Sequence, residues 1–156
     1  MTVVELVKQL WKAFYNTRAS IVRSPLIRPI PTTAPHRILV CAPSNTAADL
    51  LLQRLAPTIT STAEMFRLNS FQRDRMLSPD LEKYSQYDRE KNGYVVPEKV
   101  ELEKYPVIVA TCIMAGKLIN FGFKDYFDAV IVDEAGHAIE AEVLIESPMT
   151  LSFVLS

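Results

Sequence analysis

Ala129-Val-Ile-Val-Asp-Glu-Ala-Gly136 is a short apolar run that stops abruptly at two adjacent acids. An unbroken apolar run of this length reads as a strand buried on both faces, as in a parallel sheet covered by helices. Its interior cannot hold two carboxylates, so Asp133 and Glu134 belong at its mouth, near water or a cation. There Asp133 suits a magnesium ion held through its water shell, and Glu134 suits a water molecule to be oriented or deprotonated. A solvated strand end or a helix N-terminus would accommodate the same acids. The Gly-rich loop G-x-x-x-x-G-K-[ST] that cradles nucleotide phosphates beside such a strand is missing from these residues. The four glycines, Gly93, Gly116, Gly122 and Gly136, do not have its spacing.

Two further apolar runs resemble the first in length. Ile38-Leu-Val-Cys-Ala42 leads into Pro43-Ser44-Asn45, where Ser44 or Asn45 suits the cap of a helix over Thr46–Leu55. Val107-Ile-Val-Ala110 leads into Thr111-Cys112 and a helix from about Ile113 to Ile119. Phe66-Arg67-Leu68 suggests a shorter strand. Helices alternating with continuously apolar strands predict a parallel α/β sheet. In such sheets ligands gather at the carboxyl ends of the strands. Pro43-Ser44-Asn45, Thr111 and Asp133-Glu134 are therefore expected on one edge.

The rest of the chain frames these elements. Val3, Val7, Leu10 and Phe14 recur at helical spacing over residues 2–16. A Pro-rich loop is expected over about 20–37, since four prolines fall between Ser24 and Pro35. A surface insertion suits it better than a ligand for a proline-reading partner. Residues 70–104 are polar and charged, with a turn expected at Asn92-Gly93, and read as a small insertion off the main sheet. One domain of 156 residues can bury a sizeable core.

Net charge is −1, yet residues 1–37 hold six Lys/Arg against one Glu, and the remainder eleven against seventeen acids. So few scattered cations do not define a nucleic-acid surface by themselves. Cys41 and Cys112 each end an apolar run and read as buried free thiols of a reducing compartment. No apolar stretch is long enough to span a membrane, and no signal layout directs secretion, so cytoplasm is expected.

Several residues admit a chemical and a structural role. Ser44, Asn45 and Thr111 can contact phosphates or simply cap helices. His137 beside Gly136 can meet a phosphate or sit in an exposed loop, and His36 has no metal-ligand spacing with any Cys or acid. Glu140, Glu142 and Glu146 read as the polar face of a closing helix. Tyr84, Tyr87 and Tyr94 can stack on bases or pack the insertion against the core.

In order, Arg37-Ile-Leu-Val-Cys-Ala-Pro-Ser-Asn-Thr-Ala-Ala-Asp-Leu-Leu51, Val107-Ile-Val-Ala-Thr-Cys112 and Phe127-Asp-Ala-Val-Ile-Val-Asp-Glu-Ala-Gly-His137 resemble motifs Ia, Ic and II of Upf-like superfamily 1 helicases. The Asp-Glu-Ala-Gly-His form, with Tyr94-Val-Val-Pro97 upstream, looks most like the Armitage-type RNA helicases of small-RNA silencing. The resemblance spans most of residues 2–146 and implies part of a RecA-like P-loop NTPase domain over 1–146, with 147–156 a divergent tail. It implies ATP hydrolysis coupled to RNA unwinding, with ATP and Mg²⁺ as cofactors. Asp133 would be the magnesium acid, Glu134 the general base, and His137 would stand where many relatives have a γ-phosphate-sensing Gln. Pro43, Ser44, Asn45 and Thr111 would touch RNA. Silencing proteins are the implied partners, and cytoplasm or ribonucleoprotein granules the implied location. The helix at 2–16 is similar to the one that follows the family's phosphate loop. The alternative is a non-catalytic RNA- or partner-binding module that keeps the fold.

Overall fold

A computed structural model of the chain describes residues 2–23, 37–73, 75–124, 126–133 and 151–155. Five parallel strands form the main sheet: β1 (Ile38–Ala42), β2 (Met65–Arg67), β5 (Val107–Thr111), β6 (Ala129–Asp133) and β7 (Leu151–Leu155), in spatial order β2-β5-β1-β6-β7. Strand β1 is central. Ile38 stands beside both Val107 and Ala129, and Ala42 beside Thr111.

Every residue of β1 and β5 is buried, because helices cover both faces of the sheet. Ile38, Val40 and Ala42 face one core with α1 (Val3–Arg23) and α2 (Asn45–Leu55). Leu39 and Cys41 face the other, with α5 (Cys112–Asn120). The alternation of side chains along a strand thus divides one apolar run between two cores. Both cysteines are buried and neither is in a disulfide. Burial pushes the Cys41 thiol far above its ordinary pKa, with Cys112 adding to the shift, so it is inert as a nucleophile.

Two expectations need correction. Helix α1 runs to Arg23, so the Pro-rich loop cannot begin at residue 20. Ala19-Ser-Ile-Val-Arg23 contains no helix breaker, and the first proline, Pro25, restricts only the residue before it. The remainder of that loop, 24–36, lies outside the described residues. The turn expected at Asn92-Gly93 is set earlier. β3 (Tyr87–Asp88) and β4 (Gly93–Tyr94) pair antiparallel with Asp88 opposite Gly93, and Asp88 Oδ1 accepts from the Glu90 and Lys91 amides. Asn92 closes the turn at φ 51°, a conformation that asparagine tolerates. Within 147–156, read as a divergent tail, β7 extends the sheet beyond β6.

The insertion is also less detached than its polarity suggested. It carries two single-turn helices, α3 (Pro79–Glu82) and α4 (Lys99–Leu102). Leu77, Leu81, Tyr84 and Tyr94 enter the core under α1 and α2, whereas Leu102 enters the other. Tyr84 is fully buried and its hydroxyl donates to the Ile59 carbonyl at 3.2 Å. The Tyr94 hydroxyl accepts from the Leu77 amide at 2.7 Å. Tyr84 and Tyr94 are therefore packing residues, and Tyr87 lies half-buried edge-on to Tyr94.

Candidate nucleic-acid interface

Parallel strands put all their carboxyl ends on one side, and the strand order sets which ends are neighbours. From one side to the other, the edge presents Arg67, Thr111, Ala42-Pro43-Ser44 and Asp133. Pro43, Ser44, Asn45, Thr111 and Asp133 thus share the edge expected for them. Glu134 and His137, with Glu140, Glu142 and Glu146, lie outside the described residues, as does His36.

Ser44 is the N-cap of α2, its Oγ accepting from the Ala47 amide at 3.1 Å. Thr111 caps α5 in the same way, its Oγ1 accepting from the Met114 amide at 3.3 Å. Asn45 is not a cap but the first residue of α2, and its Oδ1 accepts from Arg67 Nη2 at 3.1 Å. In each case the side-chain oxygen is used as an acceptor. The hydroxyl protons of Ser44 and Thr111 and the amide protons of Asn45 have no acceptor among the described residues. Capping and anion contact are therefore compatible, and together they fix the donors in place. Ser44 is exposed, Asn45 half-buried and Thr111 buried, so access falls from the first to the last.

A network that sequence inspection did not single out holds Asn45. Arg67 is fully buried. Its Nε donates to Asp49 Oδ1 at 3.1 Å, its Nη1 to the Leu68 carbonyl at 2.7 Å, and its Nη2 to Asn45. Arg73 reaches the same Asp49 carboxylate with both terminal nitrogens, contacts Asn69 Oδ1 at 2.8 Å, and lies 5.7 Å from the centre of the Tyr94 ring. Burial lowers the Arg67 pKa, with Asp49 opposing the shift and Arg73 adding to it, and the guanidinium remains charged at neutral pH. The signal available in the sequence was an arginine within an otherwise apolar strand, Met65-Phe-Arg67-Leu, which needs a buried partner.

Asp133 is half-exposed at the end of β6 and accepts no hydrogen bond among the described residues. Those residues hold no group of three or more potential metal ligands. A single carboxylate does not by itself form a cage for a metal. It does fit magnesium, which keeps several waters and commonly takes one or two carboxylates together with substrate phosphates.

The parallel sheet with helices on both faces, and the acid-terminated strand beside its centre, define a partial RecA-like α/β domain. The AAA domain family model matches residues 1–95 and 72–153, and the chain belongs to this family, in its Upf-like superfamily 1 helicase branch. It is 33% identical over 146 residues to the putative helicase MOV-10 of Gallus gallus, covering 93% of this chain and 13% of that protein. It is 39% identical over 111 residues to the RNA helicase Mov10l1 of Mus musculus, covering 70% and 9%. To the probable helicase MAGATAMA 3 of Arabidopsis thaliana it is 29% identical over 127 residues, covering 70% and 16%. The chain therefore corresponds to a small segment of each of these relatives. Among the described residues no helix is long and apolar enough to cross a membrane.

Proposed function

We propose that this segment provides the RNA-contact edge and the magnesium-and-water acids of an ATP-driven RNA helicase motor, acting in the cytoplasm alongside silencing proteins. The observation that supports this most is the common edge on which Pro43, Ser44, Asn45, Thr111 and Asp133 lie, with the donors of Ser44 and Thr111 held in place by their capping bonds. Such donors suit phosphodiester oxygens, which read position rather than sequence. Asp133 would hold the ion through water. Glu134 would orient the attacking water and His137 would face the terminal phosphate, both by resemblance. The ion, when bound, neutralises charge on the nucleotide phosphates.

Ser44→Asp separates the two roles of this side chain, because aspartate is as good an N-cap as serine but brings a negative charge and no proton to donate. The variant should keep its thermal stability and bind labelled single-stranded RNA about tenfold or more weakly, as befits loss of a bond to a charged group. Unchanged affinity in a stable Ser44→Asp protein would overturn the assignment of the edge to RNA.

The 156 residues contain no phosphate cradle and no lysine at its end, and phosphoryl transfer depends mainly on such positioning and charge neutralisation. The purified chain should release no phosphate from ATP even with RNA present. RNA-stimulated release that disappears in Glu134→Gln would contradict this.

A further inference from the structure

Beside the edge, the segments leaving β2 and β5 form the two walls of an open groove of about 330 Å³. Ser70, Phe71 and Gln72 come from the first, and Met114, Lys117 and Phe121 from the second, with Val96 between them. Met114, Lys117 and Phe121 fall on one face of α5 and just beyond its end, at i, i+3 and i+7, below the Thr111 cap. The volume is at the lower end of the range for small-ligand sites.

Phe71 is 49% exposed, an unusual position for a phenylalanine, and Phe121 is 43% exposed. The ring of Phe71 lies directly against Gly93, where a Cβ would collide with its Cε2, Cδ2 and Cζ atoms. Glycine at this position thus lets the ring seat on the β3–β4 turn with a face left open to solvent. Lys117 is exposed and has no ion pair among the described residues, and the lining contains this one cation and no acid.

We infer that this groove is a nucleobase subsite for single-stranded RNA, in which Phe71 stacks on a base and Lys117 meets the adjoining phosphate. Three observations favour RNA over an apolar peptide. The lining has one uncompensated positive charge, suited to a polyanion. Ser70 and Gln72 add hydrogen-bonding groups beside the ring, as base edges require. The groove is also continuous with the edge through Met114, whose amide is bound to Thr111. A base-stacking site explains an exposed, glycine-seated ring, because every base offers a π-face. The inference rests on the RNA-contact reading of the edge.

The test uses the full chain with a fluorescein-labelled single-stranded RNA dodecamer, and the same RNA with one abasic nucleotide walked along it. Phe71→Ala should weaken binding of intact RNA about 5- to 150-fold, the range for loss of one stacked base, and Phe71→Trp should preserve it. An abasic nucleotide at one position should cost the unaltered protein a similar factor and cost Phe71→Ala nothing. Gly93→Ala should reproduce part of the loss by displacing the ring. Lys117→Gln should reduce the slope of log affinity against log salt by about 0.7. If Ser44→Asp weakens binding but Phe71→Ala and the abasic walk have no effect, the subsite is wrong and the edge assignment stands. If the unaltered chain binds no RNA, the edge assignment fails and the subsite with it.

Discussion

Replacing Asp49 with alanine should lower the unfolding free energy by about 3–5 kcal/mol, the usual effect of stranding a buried charge. One carboxylate serves two guanidinium groups, Arg67 and Arg73, whose side chains are 0% and 4% exposed. Without Asp49, Arg67 would keep only its bonds to the Leu68 carbonyl and Asn45, with no negative charge to offset its desolvation. Asp49→Asn should be almost as damaging, because it keeps the shape and removes the charge. The double variant Asp49→Leu with Arg67→Met should recover part of the loss, since an apolar pair need not be neutralised. Urea denaturation followed by far-UV circular dichroism measures all three, and a loss under about 1 kcal/mol for Asp49→Ala would show that water reaches Arg67.

Trp11→Ala should cost a similar 3–5 kcal/mol, by leaving a cavity between α1 and the sheet. Trp11 is 5% exposed and packs against Phe14 with ring centres 5.6 Å apart, in the core that also contains Leu52, Leu55 and Tyr94. The indole is the anchor of α1, which pairs with no strand and holds its place by its apolar face. Amide hydrogen exchange should therefore speed up across α1 before the rest of the molecule in this variant. Trp11→Phe, which fills most of the volume, should cost about 1–2 kcal/mol. Uniform acceleration of exchange in Trp11→Ala would show that α1 unfolds only with the whole domain.

The three central strands were legible because each is a short, unbroken apolar run followed by polar groups that a buried strand cannot contain. The runs expected at 38–42, 107–110 and 129–132 form the central strands, the second and third extended by one residue to Thr111 and Asp133, and their ends meet at one edge. Helix α2 begins one residue earlier than expected and α5 one residue earlier than Ile113, shifts that follow from which hydroxyl accepts the capping bond. The Arg67–Asp49–Arg73 network was not legible, because its members are far apart in sequence and no local pattern pairs a strand arginine with a helix aspartate. Phe71 was missed for a related reason. The hydroxyls of Tyr84 and Tyr94 satisfy buried backbone groups and that of Tyr87 bonds the Asn92 side chain, whereas the exposed Phe71 ring stands in a segment with no periodicity. Strand β7 was missed because Leu151-Ser-Phe-Val-Leu155 has one polar interruption and no motif to mark it.

The strand order also governs how the chain is made. β1 is complete by residue 42, yet both of its partners come much later, from residues 107 and 129. At about 5–20 residues per second, translation leaves this apolar segment without either neighbour for roughly 3–13 s. Its pairing closes long loops, which slows folding relative to local contacts. The centre of the sheet is thus the first of the described strands to be synthesised and must wait for both of its neighbours, and nascent chains should depend most on chaperones during that interval.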